Sequence, residues 1–266
     1  MEQVWGALLI FILCPLLGGL PLTGWWVQLA TGQRLSQIGT GNVGVSAAFY
    51  HGGTVVGIGA VCLEAFKGMG AVLLAQQFFP VDPIWPVVAL MALVMGRYWL
   101  ARGAGVTNVS WGFLVYDPLV AVLGWLLSLV AFTVLRERKQ GRVFALVLLP
   151  VLTGLVHNDG MRLMAVACLM TLIGWIYQKL PDDLELPSQG TRTESRRLLR
   201  FFRGESALQA LDQILDPAVV GNKAATLSQL KAWGYPVPMG YILRPGDDPA
   251  ALLALCQPSV QQPLVA

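Results

Sequence analysis

The sequence predicts an all-α polytopic membrane protein with about seven membrane segments and a short soluble α/β fragment at its C-terminal end. Apolar residues make up 55% of the 266 residues and charged residues only 12%, whereas an ordinary soluble domain has about 25% charged residues. The charges are also uneven, since residues 1–180 hold 10 of the 18 Lys and Arg and 6 of the 15 Asp and Glu. A membrane part is therefore followed by a soluble part.

The composition excludes several other classes of protein. A disordered chain has far fewer apolar residues, and a formal net charge of +3 is too small to indicate a nucleic-acid partner. The four cysteines are scattered without CxxC or CxxxH spacing, so neither a disulfide framework nor a metal site is indicated. The N-terminus has no basic region before its first apolar run, which indicates a retained membrane anchor rather than a cleaved signal.

Six apolar stretches are candidates for membrane segments, and the orientation of the chain adds a short seventh segment at residues 105–116. A helix needs roughly 17–25 apolar residues to cross a bilayer, so the shorter stretches imply tilt or local thinning of the bilayer. The predicted segments are residues 4–22, 52–79, 84–95, 105–116, 119–135, 143–156 and 161–177.

The basic residues predict the orientation of these segments, because Lys and Arg collect in cytoplasmic loops. They lie at Arg34, at Arg97 and Arg102, in the segment 136–142 and from Lys179 onward. We therefore expect a multi-pass protein of the plasma (cytoplasmic) membrane, with its N-terminus outside and its C-terminus in the cytoplasm.

One stretch between two of these basic groups is too short for two ordinary crossings. We expect residues 105–116 to pass part-way across, to break at Pro118 and to return as 119–135. Irregular backbone at that depth is tolerated where it is buried in protein or lines a cavity.

The first predicted cytoplasmic loop, residues 32–53, contains a glycine-rich turn. This turn consists of Gly39, Thr40, Gly41, Asn42 and Gly44. Glycine lets backbone N–H groups approach an anion closely, although a plain interhelical loop or close helix packing in lipid also uses glycine. His51 lies at the end of the loop and has no partner nearby in the sequence.

Two charges lie inside the apolar segment 52–79. Glu64 and Lys67 are three residues apart and can pair on one face of a helix. Charges inside a membrane mark either a function or a buried pair, so this pair either lines a site or is structural.

A second glycine-rich region, residues 96–112, carries two arginines. Its candidate residues are Arg97, Arg102, Gly103 and Gly105, followed by Thr107 and Asn108. This arrangement again suits an anion, but two interfacial arginines could also simply extend to the lipid headgroups.

The loops together resemble one family, the bacterial membrane-integral acyl-phosphate:glycerol-3-phosphate acyltransferases (the PlsY type), over about residues 8–206. The first motif of that family reads Gly-Ser-Gly-Asn-x-Gly-Ala-Thr-Asn and ends in Arg; the chain has Gly-Thr-Gly-Asn-Val-Gly-Val-Ser-Ala from Gly39. The family continues with Asp-x-x-Lys-Gly on the next helix, which Glu64–Gly68 resembles.

The second and third motifs are matched less completely. The second begins Gly-His and continues to Gly-Gly-Lys-Gly-Val-Ala-Thr, where the chain has Gly96-Arg97 and then Arg102 to Asn108. Of the third, which follows the last helix, only the tail is similar. That tail comprises Leu198, Arg200, Gly204 and Glu205.

The chain departs from the family pattern at several charged positions. The motif serine is Thr40, which keeps a hydroxyl, and the arginine that ends the first motif is Tyr50. The histidine and lysine of the second motif are Arg97 and Ala104. Fewer cations should weaken the binding of phosphorylated substrates, and an arginine fork can compensate for part of that loss.

The resemblance implies transfer of a fatty acyl group from acyl phosphate to glycerol 3-phosphate at the membrane, giving lysophosphatidic acid without a metal or a cofactor. Thr40 and Asn42 are then the candidate catalytic residues. The implied substrate-binding residues are Gly39, Gly41, Gly44, Ser46, Lys67, Arg97, Arg102, Gly103, Gly105, Arg200 and Glu205. The partners are the two substrates and the membrane lipids.

Two other functions are compatible with these residues. A relative without activity could anchor or regulate a partner. A small-solute transporter would place its charges and broken helices near the middle of the membrane, whereas the polar residues here collect in loops on one side.

The remainder of the chain divides into two predicted parts after the membrane domain, residues 1–180. Residues 181–206 form a linker that includes an amphipathic helix near Arg196–Arg203, suited to a membrane surface.

Residues 207–266 resemble the start of the nucleotide-binding domain of phosphoenolpyruvate synthases and pyruvate, phosphate dikinases. The match consists of Gly-Asn-Lys-Ala-Ala-Thr-Leu from Gly221, then Gly-Tyr-Pro-Val-Pro-Met-Gly-Tyr from Gly234. It implies that Lys223 would contact ATP phosphates if the missing remainder of that domain were present.

Overall fold

A computed structural model describes residues 2–135, 138–180, 182–183, 209–212, 214–243 and 252. The N-terminal part of the described chain is helical throughout. Its helices are α1 (Glu2–Gly19), α2 (Leu22–Thr31), α3 (Val45–Ala47, continued by a π turn Ala48–Gly52), α4 (Thr54–Phe78), α5 (Trp85–Ala101), α6 (Val106–Tyr116), α7 (Pro118–Leu135), α8 (Arg138–His157) and α9 (Gly160–Lys179), with a 3₁₀ turn at Leu35–Gln37.

Within the described residues, four helical units are long and apolar enough to cross a membrane. They are Glu2–Thr31, Thr54–Phe78, Gln140–His157 and Gly160–Lys179. The apolar helices α5 and α7 are shorter. Large apolar side chains such as Trp5, Phe66 and Leu155 are exposed on these helices, as expected where lipid covers the outside of a helix bundle. A helix occupies each of the seven predicted ranges, and the number of crossings stays a prediction.

The N-terminal region contains a helix that the sequence analysis did not predict. Helix α1 ends at Gly19, and α2 starts after Pro21 and ends at Thr31, where Gly32 caps it with a left-handed φ of 72°. Helix α2 buries Thr23 and Val27. Its apolar pattern is diluted by Thr, Gly and Gln, so hydropathy alone does not reveal it.

Glycines allow the helices at the centre of the bundle to approach closely. A Cβ atom on Gly68 of α4 would lie 1.9 Å from the carbonyl oxygen of Asn108 on α6. Cβ atoms on Gly18 and Gly96 would each lie 2.0 Å from a carbonyl oxygen of the facing helix, where α1 crosses α5. Small residues at such crossings let helix backbones pack in lipid.

The predicted break at Pro118 is confirmed, since α6 ends at Tyr116 and α7 begins at Pro118. The carboxylate of Asp117 between them accepts a hydrogen bond from the backbone N–H of Val120 at 3.1 Å and also contacts His157. Asp159 accepts the N–H of Met161 and caps α9. Asp117 and Asp159 therefore stabilise the first turns of α7 and α9.

The described C-terminal residues contain a small antiparallel pair and two helices. Strand β1 (Gln209–Ala210) pairs with β2 (Tyr241–Ile242), and between them lie α10 (Pro217–Val220) and α11 (Asn222–Ala232). Lys223 is exposed in the first turn of α11, and its contact with a nucleotide stays a prediction. The predicted amphipathic helix, Arg200 and Glu205 lie outside the described residues.

We expect Gly68→Ala to destabilise the bundle, because its new methyl group would overlap the Asn108 carbonyl and force α4 away from α6. Overpacking of this kind costs about 1–3 kcal/mol. Gly70→Ala is a matched control on the same helix, because a Cβ there meets nothing within 4 Å. Thermal unfolding in detergent micelles should show a lower transition temperature for Gly68→Ala than for Gly70→Ala. Equal transition temperatures would contradict the close approach.

Candidate active site

A cavity of about 470 Å³ lies between the glycine-rich loop, α4, the start of α6 and the end of α9. Its polar lining residues are Asn42, Ser46, Glu64, Arg97, Thr107, Asn108, Ser110 and Asp182, and its apolar lining residues include Val45, Phe49, Val61, Val106 and Trp111. The lining therefore offers contacts both to polar or charged groups and to apolar groups.

Arg97 is the buried cation of this cavity, with only 2% of its surface exposed. One terminal nitrogen, Nη2, lies 3.1 Å from Glu64 Oε1 and donates a hydrogen bond to the Val43 carbonyl at 2.5 Å. The other, Nη1, is buried and has no hydrogen-bond partner among the described residues. A buried donor without a partner is unfavourable, so Nη1 is suited to an anionic oxygen from a ligand.

Glu64 is the centre of a buried network that reaches three further helices. It accepts hydrogen bonds from Thr23 Oγ1 at 2.5 Å and from Asn108 Nδ2 at 2.9 Å. Lys67 Nζ lies 3.2 Å from the same carboxylate and also donates to the Leu20 carbonyl at 2.6 Å. Two buried cations, Lys67 and Arg97, thus share one carboxylate, and neither has a second carboxylate partner among the described residues.

The positions of Glu64 and Lys67 bear on whether this pair lines the site or is structural. Glu64 lines the cavity, whereas Lys67 does not. Lys67 lies behind the carboxylate, and it therefore contributes charge to the site rather than a direct contact with its interior.

The glycine-rich loop is held against the ends of α5 and α9. The backbone N–H of Val43 donates to the Arg102 carbonyl at 3.1 Å, and the backbone N–H of Thr40 donates to Asp183 Oδ1 at 2.7 Å. The Thr40 hydroxyl also hydrogen-bonds the Asp183 carboxylate. Gly39 and Gly41 have φ values of 59° and 73°, a conformation that glycine adopts without strain.

Asp183 and His51 are buried behind this loop. Asp183 Oδ2 lies 3.8 Å from His51 Nε2, which is too long for a hydrogen bond. A Cβ on Gly39 would lie 2.6 Å from Asp183 Oδ1 and 2.7 Å from His51 Nε2, so only glycine fits here. Burial raises the pKa of Asp183 from 3.8 to about 6 and lowers the pKa of His51 from 6.5 to about 4. At neutral pH the aspartate is ionised and the imidazole is neutral.

The structure brings together only part of the predicted set of site residues. The predicted residues that line the cavity are Asn42, Gly44, Ser46, Arg97 and Gly105. Thr40, Gly39 and Gly41 lie in the same loop without lining it. Gly103 packs on the guanidinium of Arg97, since a Cβ there would lie 2.7 Å from its Nε. Arg102 lines a different cavity, described below.

Sequence reasoning missed Asp183 and the role of Asn108. Asp183 comes from a stretch that reads as a polar linker, and no local pattern distinguishes it from its acidic neighbours. Asn108 follows Thr107 in the second glycine-rich region, and its contact with Glu64 depends on the approach of α6 to α4.

An apolar groove of about 330 Å³ runs between α6, α7, α8 and α9. It shares Val106, Ser110, Tyr177 and Asp182 with the polar cavity. Where they meet, Arg142 Nη2 lies 2.7 Å from Asp182 Oδ2, and the Arg142 guanidinium lies 4.6 Å from the centre of the Tyr177 ring. The two spaces therefore adjoin each other at these residues. Among the described residues no group of three or more His, Cys, Asp or Glu could hold a metal ion.

The fold and the site define a helical membrane protein in which a buried cation faces a polar cavity beside an apolar groove. The chain belongs to the glycerol-3-phosphate acyltransferase family, whose model matches residues 8–182.

Individual relatives agree with this assignment. The chain is similar to glycerol-3-phosphate acyltransferase 2 of Moorella thermoacetica, with 26% identity over 156 residues, which is 57% of this chain and 79% of the relative. It is also similar to the glycerol-3-phosphate acyltransferase of Desulforamulus reducens, with 28% identity over 162 residues, 57% of this chain and 78% of the relative.

The fold is similar to that of PlsY (YgiH), an integral membrane glycerol 3-phosphate acyltransferase, in the crystal structure of its glycerol 3-phosphate form. The TM-score is 0.58, with 22% identity over 65% of this chain and 88% of PlsY. The form with lysophosphatidic acid gives a TM-score of 0.57.

We expect the two buried groups behind the loop to give pH dependences of opposite sign. Between about pH 4 and 6.5, His51 is protonated in the unfolded chain but neutral in the folded protein. This residue therefore makes the free energy of unfolding rise with pH in that range. The folded protein keeps a proton that Asp183 of the unfolded chain has lost, so this residue makes stability fall between about 4 and 6.

Single substitutions should reveal each contribution in melting curves recorded in micelles from pH 4 to 7. Relative to wild type, the melting temperature of Asp183→Asn should increase as pH rises, and the melting temperature of His51→Asn should decrease as pH rises. Asp82→Asn, at an exposed carboxylate, is the control. Each residue should change the free energy of unfolding by a few kcal/mol at most over its pH range, since a tenfold change in proton affinity is worth about 1.4 kcal/mol. For each variant, the difference in melting temperature from wild type is plotted against pH. If the plots for Asp183→Asn and His51→Asn run parallel to the plot for Asp82→Asn, the burial of both groups is contradicted.

Proposed function

We propose that the protein transfers a fatty acyl group from acyl phosphate to glycerol 3-phosphate, giving lysophosphatidic acid, in the cavity beside Arg97. The observation that carries this proposal is the buried guanidinium, whose Nη1 has no partner among the described residues and whose cavity adjoins an apolar groove. Family membership supports the reaction, because relatives of this chain are named glycerol-3-phosphate acyltransferases.

The charge of the network favours an anionic ligand. Lys67 and Arg97 share Glu64, and an uncompensated charge in a low-dielectric site is costly until an opposite charge approaches. A phosphate oxygen placed against Arg97 Nη1 would supply both the charge and the missing acceptor. Asn42, Ser46 and the backbone of the glycine-rich loop would hold its other oxygens.

The apolar groove is the place for the acyl chain. Phe113, Ala121, Leu149 and Ile173 are among its lining residues, and they offer no hydrogen bond that a hydrocarbon would leave unsatisfied. The carbonyl of the acyl phosphate would then lie near Ser110 and Val106, where groove and cavity meet.

The reaction requires little covalent chemistry from the protein. The glycerol hydroxyl oxygen attacks the acyl carbonyl carbon, an ester C–O bond forms, and the bond from that carbon to the phosphate oxygen breaks. Phosphate leaves with the electron pair and takes up the hydroxyl proton. The side chains position two anions and stabilise the developing charge. Of the two candidate catalytic residues, Asn42 lines the cavity, whereas Thr40 does not and would act by holding the loop to Asp183.

We also propose seven membrane segments with the N-terminus outside and the C-terminus in the cytoplasm. The candidate cavity lies at the end of the bundle that carries Arg34, Arg102, Arg142 and Lys179. The positive-inside rule places that end in the cytoplasm, where a water-soluble acceptor such as glycerol 3-phosphate is available.

One observation favours a second candidate, an inactive relative that holds a partner at the membrane. Ala104 lines the cavity where the family has a lysine, and Tyr50, in place of the family arginine, is buried and does not line it. Two cations of the family pattern are therefore absent from the wall, and Arg97 must supply their charge.

We expect Arg97→Gln to lower acyl transfer by about 100-fold or more, the usual effect of removing a donor to a developing charge. In the assay, purified protein in lipid is supplied with acyl phosphate and labelled glycerol 3-phosphate, and lysophosphatidic acid is measured. Thr40→Ala should also lose this product. Arg162→Gln, which changes an arginine paired with Asp159 near the start of α9, is the control. Full activity in Arg97→Gln would exclude this cavity, and no product from folded wild type would favour the inactive relative.

We expect Ser128→Phe to shift the preference toward short acyl chains, because Ser128 lines the groove and a phenyl ring would shorten it. The ratio of rates with palmitoyl phosphate and octanoyl phosphate should fall by about 10-fold, a usual effect for a few methylene groups in an apolar pocket. Val122→Phe, on an exposed face of the same helix, should leave the ratio unchanged. An unchanged ratio in Ser128→Phe would place the acyl chain elsewhere.

A further inference from the structure

A second cavity of about 440 Å³ lies between α2, the 3₁₀ turn and the end of α5. Its lining residues are Pro21, Gly24, Trp25, Gln28, Arg34, Leu35, Ser36, Val43, Leu100, Ala101 and Arg102. The two arginines are the only ionisable side chains among them. Neither forms an ion pair in the described part of the chain.

Both arginines are exposed, and no carboxylate lines the cavity to neutralise their charge. Guanidinium forks match the oxygens of a phosphate group in geometry as well as charge. Gln28 and Ser36 add an amide and a hydroxyl to the same wall. The chemistry of the cavity is therefore that of a phosphate ester site.

The backbone at Arg102 supports a specific role for this side chain. Its φ of 50° is left-handed, a conformation that is strained for a residue other than glycine, asparagine or aspartate. The strained residue is held in place, since its carbonyl accepts the Val43 N–H and Gly103 N–H donates to the Arg97 carbonyl at 3.2 Å. Glycine would fit this position without strain, and yet an arginine occupies it.

The surroundings of the cavity indicate that its phosphate belongs to a lipid. Trp25 and Leu100 line it and are 53% and 63% exposed, and Trp99 beside it is 62% exposed. Such side chains at the end of a membrane helix contact acyl chains, and basic pockets between helix ends bind lipid headgroups. We infer that this cavity binds the phosphate of an anionic membrane phospholipid, with the acyl part of the lipid against Trp25 and Leu100.

The lipid site lies directly behind the candidate active site. Val43 lines the lipid cavity, and its carbonyl accepts the hydrogen bond from Arg97 Nη2. Asn42 and Gly44, on either side of Val43 in the chain, line the cavity of Arg97. Arg102, five residues after Arg97 in the sequence, contributes to the lipid cavity and not to the cavity of Arg97.

Equilibrium binding of phosphatidic acid in mixed micelles tests this inference without any measurement of acyl transfer. Binding is measured in wild type and in an Arg97→Gln background, so that the candidate active site does not contribute. We expect Arg102→Gly and Arg34→Gln each to weaken binding by about 10-fold in both backgrounds. Arg102→Gly also removes the backbone strain, so its melting temperature should equal or exceed that of wild type. Arg162→Gln is the control.

Two comparison ligands distinguish the sources of the phosphate. Phosphatidylcholine should bind more weakly than phosphatidic acid, and inorganic phosphate should not displace the lipid at equal concentration. Unchanged binding in Arg102→Gly and Arg34→Gln would overturn the site. Equal binding of phosphatidylcholine would overturn the requirement for an anion, and displacement by inorganic phosphate at equal concentration would overturn the assignment to a lipid.

Discussion

A single buried carboxylate, that of Glu64, holds the centre of the bundle together. A charge inside a membrane protein is costly unless it is paired and hydrogen-bonded. Glu64 obtains its partners from α2, α4, α5 and α6 through Thr23, Lys67, Arg97 and Asn108. Because every partner must reach the same two oxygen atoms, the network restricts how these four helices can lie.

Close packing makes that network possible. Asn108 reaches Glu64 only because α6 crosses α4 at Gly68, where there is no room for a side chain. In the same way, Gly18 and Gly96 let α1 approach α5, the helix that carries Arg97. The glycines of this chain thus act on the site indirectly, by determining the distances between backbones.

The chain keeps the fold of its family, while its motifs carry cations at different positions. Arg97 stands where the family motif has histidine, and its Nη2 is held by Glu64 and Val43 while its buried Nη1 has no hydrogen-bond partner among the described residues. Lys67 adds a second positive charge behind the carboxylate.

The sequence by itself determined the features that depend on local periodicity and composition. These are the apolar helices, the break at Pro118, the pairing of Glu64 with Lys67 one helical turn apart, and the family, whose motifs lie in the loops. Tertiary structure decided which of the loop residues meet. Arg97 and Arg102 are neighbours in the sequence but enter different cavities, because the helix ends between them and the chain turns through a left-handed residue. Asp183 meets Thr40 across 143 residues, and α2 forms where hydropathy is weak. Such contacts depend on how whole helices pack, and no local pattern in the chain contains that information.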